Sequence, residues 1–417
     1  MFPQRGAGGS GGARPRDVVL ARFGAGGADT HTDRGAHADT HADADTHADA
    51  DAPADSHTHT HTDADTHGNT DADAHTHGNT NTDADAHGNA DAHTHGNADA
   101  DAHTDCDADA HGNTDADADA RSVRVSPMRI SVVVVAHNEG DELLATVRAI
   151  RQTAPRHTEI IVVDDQSEDG SADAIGPGDD ITVLRTPQRS GVTGSRNLGA
   201  TKATGDVLVF SDGHVRPQPG WAQPLMRELD DPAVGAVAPV ISPLGEHGQP
   251  GYGFTWRSPS LTTAWFSRPP SDPQPTPMLC GCFFVIWRDV FDQLGGFDPG
   301  LTLWGMEDAD LSVCVWRLGL ECRVVPGSEI RHLFRKNFPY QVGWVGTVHN
   351  TLRVAAVHFG ATSAAKVFGH YAGQPGFGEA AERLVLSDAF DRRAWLDERT
   401  TRDGDWFIDH FQIDALR

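Results

Sequence analysis

The chain has 417 residues and a formal net charge of −27, of which −19 falls in residues 1–120 (24 Asp against 5 Arg) and −8 in the remainder. That mildly acidic remainder lacks the basic surface nucleic-acid binding needs, and five Cys, odd in number and without zinc-site spacing, exclude a disulfide framework and point to reduced thiols. No apolar run approaches the roughly 20 residues of a membrane span, and no apolar stretch near Met1 has the form of a signal peptide, so the expected location is the cytoplasm.

Residues 1–127 read as a disordered low-complexity tail. Up to Ala120 there is no Lys and no Glu, and few aromatic or branched apolar residues interrupt the Ala, Asp, Thr, His, Gly and Asn. Such a composition cannot bury enough apolar surface to offset its ordering entropy. The repeated units have no apolar face to stack, which excludes a solenoid. Fifteen of the 24 His lie between His31 and His111, so a metal-binding tract is one reading and a solvated extension the other. Met128 opens Met-Arg-Ile-Ser-Val-Val-Val-Val, a natural start for a folded unit.

From there the pattern alternates. Ile130 to Ala136 is a continuous β-branched run, as buried parallel strands read. Asp141 to Gln152 places Leu143, Leu144, Val147 and Ile150 at helical spacing, and Pro155 stops it. Glu159 to Val163 predicts a second strand, Ser171 to Ile175 a short helix, Ile181 to Leu184 a third strand, Gly191 to Thr204 a helix and Asp206 to Phe210 a fourth strand. This order predicts a doubly wound, mostly parallel α/β sheet flanked by helices. A Pro- and Trp-rich loop spans Arg257 to Pro277. Leu279 to Trp287 resumes strand character, Asp308 to Leu318 is helical and Glu321 to Val325 is a short strand. Residues 128–360 form the expected catalytic domain. Residues 361–417 form a helical extension on or near it, with helices around Gly378 to Leu386 and Ala394 to Arg399.

In open parallel sheets ligands gather beyond the carboxyl ends of the strands. There the sequence puts His137-Asn138-Glu139, Asp164-Asp165 and Asp212-Gly213-His214. A carboxylate and an imidazole flanking one Gly at a strand end suit a divalent metal such as Mn²⁺. Asp212-Gly213-His214, Trp304-Gly305-Met306-Glu307 and His332-Leu333-Phe334-Arg335-Lys336, with Pro339-Tyr340 beyond, resemble in order and spacing the catalytic domain of polypeptide N-acetylgalactosaminyltransferases. Ala136-His137-Asn138-Glu139 and Val163-Asp164-Asp165 resemble that family and family 2 glycosyltransferases generally. The similarity covers Arg129 to Phe359.

The resemblance implies a GT-A fold, a UDP-sugar donor and transfer to a hydroxyl acceptor, peptide or protein being one candidate. It implies a metal held by Asp212, His214 and His332, diphosphate contacts from Arg335 and Tyr340, and a uracil and ribose pocket lined by His137, Asp164 and Asp165. Glu139 and Arg196 join the donor-binding set, Gly281 packs against the donor sugar, Trp304 lies over the sugar nucleotide, and Glu307 is the essential acid. Three positions depart from that family. Glu307-Asp308 replaces Glu-Asn, which admits an inverting family 2 reading with Asp308 as general base, extending a saccharide. Cys282 replaces a glycine near the sugar, and Gly194 replaces an Arg. The C-terminal segment is too short for that family's lectin domain. The rival class is a His-rich metal-binding protein with a degenerate transferase domain.

Overall fold

The computed structural model describes residues 128–417, except 177, 246–247 and 336–339. The expected tail, Lys336 and Pro339 lie outside the described residues. Within them the elements run β1 (Ile130–Ala136), α1 (Asp141–Thr153), β2 (Glu159–Asp164), β3 (Ile181–Arg185), α2 (Gly191–Lys202), β4 (Val207–Asp212), β5 (Val215–Pro217), α3 (Ala222–Leu229) and β6 (Val234–Pro243). Then follow β7 (Phe254–Trp256), β8 (Thr263–Trp265), β9 (Gln274–Pro275), β10 (Phe283–Trp287), α4 (Arg288–Gln293), α5 (Glu307–Arg317) and β11 (Glu321–His332). The chain ends in α6 (Trp344–His358), α7 (Ala361–Tyr371), α8 (Phe377–Val385), α9 (Ala389–Asp397) and α10 (Gly404–His410).

One sheet in the order β3-β2-β1-β4-β10-β6-β11-β5 carries the fold, with β9 added against β11. β3, β2, β1 and β4 are mutually parallel, as are β6 and β11. The expected mostly parallel sheet is present, but β10 runs antiparallel to both neighbours. Nothing in its sequence announces this, because a strand covered on both faces reads Phe-Phe-Val-Ile-Trp whichever way it runs. Both faces of β1 and β10 are buried throughout. The edge strand β3 is largely exposed, and β5 at the opposite edge tolerates Pro217 because an edge needs fewer donors.

Two expectations are corrected. Ser171 to Ile175 forms turns, with Asp173 N–H bonded to Gly170 O and Ile175 N–H to Ala172 O; five residues between Gly170 and Gly176 are too few to repay helix nucleation. The strand expected over Glu321 to Val325 runs on to His332, past an irregularity between Val325 and Glu329 in its pairing with β6. The loop expected from Arg257 to Pro277 holds β8 and β9, and β8 pairs back on β7 as a hairpin with Trp256 and Trp265 buried.

The last helices are tied to this sheet layer. Phe411 packs on Trp316 at 4.8 Å between ring centroids and Phe407 on Trp256 at 6.3 Å. The buried Arg317 of α5 bonds Arg402 O, Thr400 and Asp397. No helix among the described residues is long and apolar enough to cross a membrane.

Candidate active site

β4 ends on Asp212, whose N–H donates to Cys282 O at 2.9 Å, so the antiparallel β10 locks the strand end. The chain then turns through Gly213 into β5, which pairs antiparallel with the end of β11 and sets His332 opposite Val215. Leu333 N–H donates to His214 O at 3.1 Å. This pairing brings Asp212, His214 and His332 together across 120 residues of sequence, one ligand atom from each lying within 4.8 Å of the others. His332 Nε2 is 3.5 Å from Asp212 Oδ2 and its ring 4.8 Å from that of His214.

The three residues fit a divalent cation. His332 is buried, and its Nδ1 has no hydrogen-bond partner, an arrangement native structures avoid unless an ion or water completes it. His214 hydrogen-bonds Glu139 Oε2 through Nδ1 at 2.9 Å, which orients the ring and leaves Nε2 as the ligand atom. Burial opposes charge on Asp212, yet His332, Arg196 and His214 outweigh it and hold the carboxyl well below the usual range. Burial lowers the pKa of His332 despite Asp212, so it stays a neutral ligand. Burial also disfavours the charged form of His214, but Glu139 reverses the balance and raises it. Glu139 also accepts from Arg335 at 2.6 Å. Glu139 thus joins the His214 ring to the Arg335 guanidinium.

Beside this triad Arg196 of α2 is buried and bridges three partners. It donates to Glu307 Oε1 at 3.3 Å, Asp212 Oδ1 at 3.1 Å and Gly281 O at 2.6 Å. Phe297 lies under the guanidinium at 5.4 Å. Enclosed in this way, Arg196 ties Asp212 and Glu307 together. Glu307 opens α5, and burial followed by repulsion from Asp308 pushes its pKa up to about 7, against Arg196. Asp308 gives Oδ2 to Gly281 N–H at 2.9 Å and Oδ1 to Ala309 N–H at 2.8 Å. A Cβ on Gly281 would meet Asp308 and Glu307 at 3.1–3.2 Å, so a glycine is what lets the segment approach both acids. Cys280 and Cys282 flank it with sulfurs 3.2 Å apart; Cys282 is buried and Cys280 half-buried.

The third group sits around the ends of β1 and β2. His137 bonds Asp165 O at 2.8 Å and meets the Tyr340 ring edge-on at 5.4 Å, while Arg189 covers that ring at 4.9 Å. Asp165 accepts from Thr186, Ser190 (N–H and hydroxyl), Arg189 and Gly191. With these bonds Asp165 anchors the start of α2. Asp164 accepts from Ser167 N–H at 2.9 Å and pairs with the half-exposed Arg185 at 2.9 Å. Trp304 is half-buried in the loop before Glu307. Sequence reasoning missed Arg189 and Asn350. Asn350 left a readable trace, a polar residue inside the apolar α6, where it must find partners.

Asp-x-His at the end of a central strand of a largely parallel sheet, with an acidic helix start beside it, is the arrangement of the GT-A glycosyltransferase fold. Residues 131–295 match glycosyl transferase family 2 and residues 266–336 the N-terminal domain of galactosyltransferase. The chain is 33% identical over 261 residues to polypeptide N-acetylgalactosaminyltransferase 5 of Caenorhabditis elegans, covering 55% of this chain and 41% of that protein. To polypeptide N-acetylgalactosaminyltransferase 10 of Homo sapiens it is 33% identical over 254 residues, 54% of this chain and 41% of that one. The crystal structure of GalNAc-T7 with UDP, GalNAc and Mn²⁺ superposes with a TM-score of 0.58 at 25% identity, over 70% of this chain and 58% of that chain. The chain thus spans about two fifths of the length of these curated relatives.

Proposed function

We propose that this protein transfers a sugar from a UDP-sugar to a hydroxyl acceptor, a peptide or protein being the favoured class, with a divalent cation of the Mn²⁺ kind. The observation that carries the reading is the Asp212, His214 and His332 cluster, in which the buried His332 ring has Nε2 3.5 Å from Asp212 and Nδ1 without a hydrogen bond, set beside Glu307 at the carboxyl end of a GT-A sheet. The relatives named above, a GalNAc-transferase holding UDP and Mn²⁺ among them, support the donor and metal class. When bound, the cation would neutralise the negative charge that grows on a departing diphosphate.

The chain's own residues supply the rest. Arg196 holds Asp212 and Glu307 at fixed separation, so the metal side and the sugar side of the site are set by one guanidinium. Glu139 orients His214. Asp308 has both oxygens on backbone N–H groups, which supports a positioning role for it and weighs against the second reading, inverting transfer with Asp308 as general base. The experiment is hydrolysis of a panel of UDP-sugars with Mn²⁺ and with chelator, followed by anomeric NMR of a transfer product. Turnover that needs Mn²⁺ and disappears in His332→Ala is expected; full activity in chelator would remove the metal from the reading, and an inverted product would favour the second.

A further inference from the structure

The loop that delivers Glu307 is held in an unfavourable shape. Leu303, Gly305 and Met306 have φ of 42°, 96° and 73°, two of them non-glycine residues in the left-handed region, where such residues persist only when their surroundings over-determine them. Val192 N–H holds Leu303 O at 2.9 Å, and the side chain that binds the rest is Asn350, fully buried on α6. Its Oδ1 accepts from Thr302 N–H at 2.8 Å and Thr302 Oγ1 at 3.1 Å. Its Nδ2 donates to Thr302 O at 2.8 Å and to Trp304 O and Gly305 O, each at 3.0 Å. The Thr302 N–H can only donate, which fixes the orientation of the amide.

One peptide unit links this clamp to the acid. The carbonyl of Trp304 is held by Asn350, and the N–H on the other side of that peptide plane, that of Gly305, donates to Glu307 Oε2 at 3.1 Å. A peptide plane is rigid, so fixing its oxygen fixes its hydrogen. A glycine at φ 96° would otherwise let the plane turn over.

We propose that Asn350 is a positioning residue that acts on Glu307 through the Trp304–Gly305 peptide, holding that N–H on the carboxylate. The inference rests on Glu307 serving in the transfer proposed above. Its test is a double-mutant cycle in the full chain, using UDP-N-acetylgalactosamine hydrolysis with Mn²⁺, accompanied by amide hydrogen exchange over residues 301–306. Asn350→Ala should lower kcat by on the order of 10²-fold, the scale of a small misplacement at a reacting centre, with KM changed less than about threefold. It should speed exchange at Gly305. In a Glu307→Gln background the same change should cost less than about twofold, because groups acting as one unit are not additive. Thr351→Val, on the same helix but bonded to Thr347 O and Tyr371 and not to the 302–305 loop, should do neither.

An equal loss in both backgrounds, or unaltered Gly305 exchange in Asn350→Ala, would overturn the proposal. Should Asn350→Ala not fold, Asn350→Asp keeps the acceptor oxygen and turns an oxygen towards three carbonyls, and Thr302→Val removes one bond of the five; Gly305 exchange ranked Asn350→Asp above Thr302→Val above wild type supports the clamp, and equal protection in all three rejects it. If the wild type turns over no UDP-sugar, the functional reading fails, while the exchange measurement still decides whether Asn350 governs this peptide.

Discussion

At the scale of single residues, Glu307 exposes the tension between stability and chemistry. Its pKa rises from 4.5 to about 7, chiefly because burial penalises the carboxylate. The sign follows from proton binding: a native state that binds the proton more tightly is favoured below the unfolded pKa, and this contribution is lost as pH rises through about 4.5 to about 7. Glu307→Gln removes the ionisation with little change of shape. Denaturant unfolding in chelator should show the variant gaining on wild type across that window, by up to on the order of 3 kcal/mol, while donor turnover collapses; parallel pH profiles would mean that Glu307 is not strained in this way. Asp308 should behave differently. With both oxygens on backbone N–H groups, Asp308→Asn keeps one acceptor and should lower kcat far less than the roughly 10²–10⁴-fold typical of a lost general base. A dead Asp308→Asn enzyme would return that residue to the chemistry.

At the scale of elements, α6 is the clamp behind the catalytic loop. Arg353, one turn beyond Asn350, makes a two-pronged pair with Asp298 at 2.7 and 2.8 Å, both side chains fully buried, and His349 bonds Gly300 O at 3.2 Å. Three neighbouring side chains of one helix therefore fix the run from Asp298 to Gly305. Removing one partner of a buried pair leaves an uncompensated charge, at a cost of about 3–5 kcal/mol. Arg353→Met should destabilise by about that amount in urea melts, and Asp298→Asn in the same chain should recover part of it. Additive losses would mean that the pair is not coupled.

At the scale of the molecule, the described residues close their own core. The main sheet begins at Ile130, and nothing before Met128 is needed to complete its strand order, so a chain beginning at Met128 should fold with the melting temperature and donor turnover of the full protein. Deleting residues 361–417 should not be tolerated. It would uncover Trp256 and Trp316, both almost fully buried, and leave the guanidinium of Arg317 without Asp397. Soluble, cooperative unfolding of that shorter chain in calorimetry would show the terminal helices to be dispensable.

Some of this was legible in the order of the residues alone. β1 begins and ends where the β-branched run does, and α1 follows its apolar spacing to within a residue, because burial on both faces of a strand and on one face of a helix leaves a periodic mark. Asp212 and His214 could be picked out at a strand end, whereas His332 and Glu307 were legible through the resemblance of their motifs to those of polypeptide N-acetylgalactosaminyltransferases. Their work could not all be assigned. Arg196, Glu139 and Asp165 read as donor contacts, and the bonds that hold them inside the chain became visible only in the structure, because they join partners 16 to 196 residues away. The antiparallel course of β10, the meeting of β5 with the far end of β11, and the hold of Asn350 on the Trp304–Gly305 peptide are likewise tertiary facts. Side-chain pattern encodes what is buried, and only the closed sheet decides what is brought to face what.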